Sequence, residues 1–181
     1  MRKLTVFVLV LLCAQGAQVL AQVVDEPNGT AYHFVKSYRV HVLATPAEVW
    51  PHVMNLGGWM YDFEMTTVQG VEGQVGAVVR LYEGQDFMVQ LTALEVARLM
   101  VMANLPMTDR GETGTGIGVT QLTALGDGTT EVSLVMSRRY DWSGTRENVL
   151  RETRQSAEFN DFTDEMWLRF LNRLKAMAEG Q

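Results

Sequence analysis

Val42-Leu43-Ala44-Thr45-Pro46-Ala47-Glu48-Val49-Trp50 is the stretch on which the fold turns, because a strand stops and a helix starts within it. Upstream, Phe34 to Leu43 alternates: Phe34, Tyr38, Val40 and Val42 fall on one side and Ser37, Arg39 and His41 on the other. That period of two is the mark of a strand with one face on a core. Thr45 then stands where a helix cap belongs. Pro46 takes the first helical position, where a missing N–H costs nothing, and Glu48 completes a capping box. Val49, Trp50, Val53 and Met54 supply the apolar side, and Asn55-Leu56-Gly57-Gly58 ends the helix. A second short helix is expected around Trp59 and Tyr61.

Downstream the period changes to strands broken by glycine turns. Strand segments are expected at Met65–Val71, Ala77–Glu83, Phe87–Val96, Leu99–Leu105, Gly116–Leu125 and Thr129–Tyr140. The joints are Gly73/Gly76, Gly84-Gln85, Ala97-Arg98, a Thr108–Thr115 loop, and Gly126-Asp127-Gly128. Connections this short imply antiparallel hairpins. In the last segment Val132, Leu134 and Met136 oppose Glu131, Ser133 and Ser137, so one face is wet.

From about Thr145 the chain carries neither Pro nor internal Gly until Gly180. Val149, Phe159, Phe162, Met166, Phe170, Leu174 and Met177 recur at three and four residues, the stripe of a long amphipathic helix. Glu147 with Arg151 and Glu165 with Arg169 are spaced as i,i+4 pairs on its solvated side.

At the other end, Met1-Arg2-Lys3, the apolar run Leu4–Leu12 and the small residues Ala14, Gly16, Ala17 and Ala21 form the three-part pattern of a secretory signal peptide. The run is far short of the roughly 20 residues of a membrane span. Cleavage is expected after Ala21, with Ala17 as the alternative site. Leu12 beside Cys13 departs from a lipobox, so no lipid anchor and no membrane anchor remain after cleavage. The organisation expected is thus a signal peptide at 1–21, a flexible lead-in at 22–31 and one domain at 32–179. The destination is periplasmic or secreted, in a bacterial setting.

The chain of 181 residues is 47% hydrophobic and 20% charged, which excludes a disordered tail. Its 15 Lys+Arg against 21 Asp+Glu exclude a nucleic-acid surface. Cleavage would remove two of those cations, no acid, and the single cysteine, leaving a more acidic domain with no disulfide.

The order of strand, two short helices, meander and long helix, with particular residues along it, resembles the START/polyketide-cyclase superfamily (SRPBCC), known also from the birch-pollen allergen. The residues that carry the resemblance are Val42–Val53, the Gly-x-x-x-Arg spacing of Gly76 and Arg80, and the hairpin Leu122–Val132 with its Gly-Asp-Gly turn. It spans about Tyr32 to Ala178. It implies an α+β helix-grip fold: a bent antiparallel sheet of about seven strands wrapped around a long C-terminal helix. It also implies a cavity for a hydrophobic or amphipathic small molecule such as a lipid, sterol or aromatic compound. The residues expected to line it are Trp59, Tyr61, Val79, Arg80, Leu81, Val89, Leu91, Met100, Met102, Met136, Phe162, Met166 and Phe170.

Several of these have two readings. Met88, Met100, Met102 and Met136 adapt to varied ligands or simply fill a core. Arg80 would hold a carboxylate or phenolate from the concave face, and would be a cross-strand surface charge from the convex one. Trp59 is either the mouth of the cavity or the plug of the core.

Catalytic parts are missing from the pattern. There is no Gly-x-Ser-x-Gly elbow, and glycines 111, 114, 116 and 118 make no phosphate cradle. His33 and His41 lie roughly 26 Å apart along one strand, too far to share an ion, and His52 has no ligand at helical spacing. No metal, no cofactor and no catalytic residue is therefore assigned. Asp62 with Glu64 is a possible acid/base pair. The function expected is ligand binding, transport or sequestration. The alternatives are a cyclase or aromatase that shapes a bound polyketide-like chain, and a protein-interaction module with a filled core.

Overall fold

The computed structural model describes residues 18–26, 29–81, 88–107, 113–142 and 164–181. Two strands, β1 (Gln18–Glu26) and β2 (Gly29–Val42), precede helices α1 (Pro46–Met54) and α2 (Leu56–Trp59). There follow β3 (Thr66–Gln69), β4 (Val78–Arg80), β5 (Met88–Glu95), β6 (Leu99–Met107), β7 (Thr113–Ala124) and β8 (Thr130–Trp142). A C-terminal helix, α3, covers residues 164–178. The expected helical stretch from Thr145 to residue 163, with Val149, Phe159, Phe162 and the Glu147–Arg151 pair, lies outside the described residues, as does most of the Thr108–Thr115 loop.

All strands join one antiparallel sheet in the order β1-β2-β8-β7-β6-β5-β4-β3. The meander β3 to β8 is built of neighbours in sequence, and β8 then closes on β2, Tyr38 facing Leu134 and Val40 facing Val132. Register shifts at Thr67/Gln69, Leu91/Ala93 and Asn104/Met107 bend it. Phe170, Leu171 and Leu174 of α3 pack into the same core as Tyr38, Met100, Val132 and Leu134 of the sheet. The result is an α+β helix-grip fold.

The local chemistry at Thr45 is as its sequence dictates. The Glu48 carboxylate accepts from the Thr45 backbone N–H and from its hydroxyl, both at 2.8 Å. The same bonds, the backbone one foremost, hold Glu48 below the usual carboxylate range. Pro46 starts α1, and Val49 and Val53 are buried beneath it. Asp127 folds the Gly-Asp-Gly turn by accepting from the Thr129 hydroxyl and backbone N–H.

Three features differ from expectation. Residues 18–26 are paired with β2 from Gly29 to Ser37, although 22–31 is expected as a flexible lead-in. The reason is composition and opportunity: Val19, Val23 and Val24 favour extended backbone, and β2 offers them an unpaired edge. Next, β3 stops at Gln69, short of the expected Val71, because Gly70 takes positive φ and turns the chain early, while the end of the expected Ala77–Glu83 run lies outside the described residues. Finally, Arg169 does not close on Glu165; it ion-pairs with Asp62 from the loop after α2.

Candidate functional site

The face of the sheet that meets α3 can be followed strand by strand through the register. One row runs Lys36, Met136, Gly118, Met102, Leu91. The next runs Tyr38, Leu134, Thr120, Met100, Leu94. Because opposed residues share a face, these rows define what the interior presents to the helix.

Most of the residues singled out from sequence are brought together here. Trp59, Leu81, Val89, Leu91, Met100, Met136 and Phe170 are buried in one cluster, with Val79, Met102 and Met166 packed against it. Trp59 is fully buried and its indole N–H donates to the Val53 carbonyl over 3.1 Å, so it closes the end of the core. Phe63 from the loop after α2 and Trp167 and Phe170 of α3 stack edge to face on one another.

Two of the described ones do not join them. Arg80 lies on the opposite face from Val79 and Leu81, in register with Thr66 and Met88, so neither its guanidinium nor the Met88 thioether belongs to the interior rows. Tyr61 is 48% exposed, its ring against the edge of Phe170 at 5.5 Å. With Gly58, Arg169 and Arg173 it lines an open groove of about 400 Å³ outside the core. Phe162 lies outside the described residues. Asp62 and Glu64 are both exposed, and Asp62 is committed to Arg169.

The polar groups of the interior are the part that sequence reading missed. Lys36, 2% exposed, donates from Nζ to Asp164 Oδ1 over 2.6 Å. The Tyr38 hydroxyl donates to the same oxygen. Burial first, and then the Asp164 hydrogen bond and charge, push the Tyr38 phenol well above its usual value, so it stays a neutral donor. Thr130 is also buried, and its hydroxyl donates to the Ala44 carbonyl at 2.7 Å. Thr120 is 1% exposed, and its hydroxyl has no hydrogen-bond partner among the described residues. The signal for Lys36 was parity: it stands two residues before Tyr38 on the buried side of β2, but a search for apolar alternation passes over it.

Beside Thr120 the described residues leave space over the interior row. Gly118 sits between Met136 and Met102, and among the described residues a Cβ placed on it would meet only the Met102 carbonyl oxygen, at 4.0 Å. Chemically the described residues of the site therefore offer thioethers, aliphatic side chains, the unused Thr120 hydroxyl and a Lys–Asp–Tyr cluster. Among the described residues no cluster of His, Cys, Asp and Glu is arranged to hold a metal.

No protein-family model matches this chain, and no curated protein does. Solved structures do match. A protein from Rhizobium leguminosarum, 14% identical, superposes with a TM-score of 0.54 over 83% of this chain and 97% of its own. The Mll3558 protein from Rhizobium loti, 16% identical, gives 0.54 over 81% and 97%. Aha1 from Colwellia psychrerythraea, solved as a dimer and 18% identical, gives 0.51 over 79% and 94%. At these identities the likeness speaks for architecture alone, the helix-grip fold described above.

Proposed function

We propose that this protein binds a hydrophobic or amphipathic small molecule, of the lipid or aromatic class, between the sheet and α3, and that it does so outside the cytoplasm. The observation that carries the reading is Gly118, which lies in register between Met102 and Met136 on the face that meets α3 and whose Cβ position has no described side chain within 4 Å. Glycine within a strand costs stability, and a close approach by another group is a common reason to keep one there. Thioether walls suit a ligand of irregular shape. Support for export is the basic, apolar and small-residue order of residues 1–21.

Native mass spectrometry of protein purified from its own host, with displacement of a bound fluorescent dye by fatty compounds, tests the binding. A bound species or displacement is the expected result; neither would sink the reading. A second reading, docking of another protein, is favoured by Val71 and Val75, 60% and 58% exposed on the β3–β4 connection. It predicts a filled interior and a binding partner lost when both valines are made serine.

A further inference from the structure

We infer that the interior site selects an uncharged ligand, an apolar body carrying a hydroxyl or carbonyl group, and that the Thr120 hydroxyl is its polar contact. This rests on the binding reading above and narrows it to a chemical class.

The argument starts from a debt in hydrogen bonding. A hydroxyl withdrawn from water and left unpaired is unfavourable, and buried polar groups in folded proteins nearly always find a partner. Thr130, equally buried, has found one in Ala44. Thr120 has none among the described residues. It stands in the row between Leu134 and Met100, and Gly118 is the next residue on the same face of β7. Successive residues on one face of a strand are about 7 Å apart. A molecule lying over Gly118 thus brings a polar atom within reach of Thr120 without moving either strand.

Charge then decides the class. Lys36 and Asp164 compensate each other at 2.6 Å, and the Tyr38 phenol gives its proton to the same carboxylate. A carboxylate ligand would find in Lys36 a cation that already has its counter-ion, and an unpaired buried charge is very unfavourable. A hydroxyl or carbonyl suits Thr120 instead, since a threonine both donates and accepts.

The test uses purified full chain with N-phenyl-1-naphthylamine as the dye, displaced by 1-decanol, decan-2-one, decanoate and n-decane. Decanol and decanone are expected to displace better than decanoate. Thr120→Val should weaken decanol and decanone about fivefold while leaving n-decane unchanged, and Thr120→Ser should retain wild-type values. With no ligand, Thr120→Val should melt no lower than wild type, since it removes an unpaired hydroxyl at equal volume; Thr120→Ala provides the same loss of hydroxyl should the valine variant misfold. Equal decanol affinity in both hydroxyl-free variants, with dye still bound, would overturn the Thr120 contact and leave the binding reading intact. Preference for decanoate would overturn the class. Failure of wild type to bind dye or any of the four compounds would bring down the binding reading, and this inference with it.

Discussion

Lys36 and Asp164 meet at 2.6 Å although 128 residues separate them, and through that bond the middle of β2 holds the first described turn of α3. Removing the carboxylate takes from a buried ammonium and a buried phenol the oxygen that they share. Asp164→Ala is therefore expected to cost about 3 kcal/mol in urea unfolding. Replacing both partners, Lys36→Met with Asp164→Leu, should restore most of that loss. A double variant no more stable than Asp164→Ala would show that the pair is not acting as a unit.

Tyr38 makes the alkaline limb of stability predictable in sign. Its native pKa lies above the unfolded value near 10, so the native state holds a proton that the unfolded chain releases. The contribution is complete below pH 10 and is lost as pH rises beyond it. Stability should fall above about pH 10 in wild type and fall less steeply in Tyr38→Phe. At neutral pH that variant should be about 2 kcal/mol weaker, for loss of a bond to a carboxylate. Parallel alkaline slopes would contradict the assignment.

Gly118 separates a role in folding from a role in binding. Gly118→Ala introduces a methyl into a position whose nearest described neighbour is 4.0 Å away, and it should stabilise the strand by about 0.5 kcal/mol. Gly118→Leu should fold yet lose dye binding. If Gly118→Leu binds as wild type does, the ligand lies elsewhere.

Two turns test the backbone. At Gly70 φ is +78°, and a Cβ would sit 3.0 Å from the Ala77 Cα, so Gly70→Ala combines a strained conformation with a backbone clash and should cost about 2 kcal/mol. Ala97 is the converse, a non-glycine residue at φ +57° in the β5–β6 hairpin. Ala97→Gly is expected to raise stability by about 1 kcal/mol. Thermal unfolding of the two variants side by side checks both, and a loss at Ala97→Gly would argue against strain there.

Much of the architecture was legible because its signals are local. The cap at Thr45, the Gly-Asp-Gly turn and the alternation from Val132 to Met136 each depend on neighbours along the chain, and each is where the structure has it. The site was legible only in its apolar half. Which face Arg80 occupies follows from a strand of three residues, too short for alternation to decide alone, and was set by the packing of Val79 and Leu81. Asp164 acquires its meaning only from a partner on β2. Thr120 reads as one more strand threonine until the register aligns it with Leu134 and Met100. Polar groups inside a fold are specified by tertiary pairing, and composition carries little trace of it.

The pairing of β1 with β2 would give the cutting of a leader a structural side effect. If a leader is cut after Ala21, the departing piece includes Gln18 to Ala21, which lie opposite Ser37 to Phe34. What remains, Gln22 to Glu26, still covers His33 to Gly29. Cleavage would then uncover a four-residue length of main chain in the middle of β2, the strand that also carries Lys36 and Tyr38 on its buried side. Maturation would convert a closed flank into a short open template for an incoming strand.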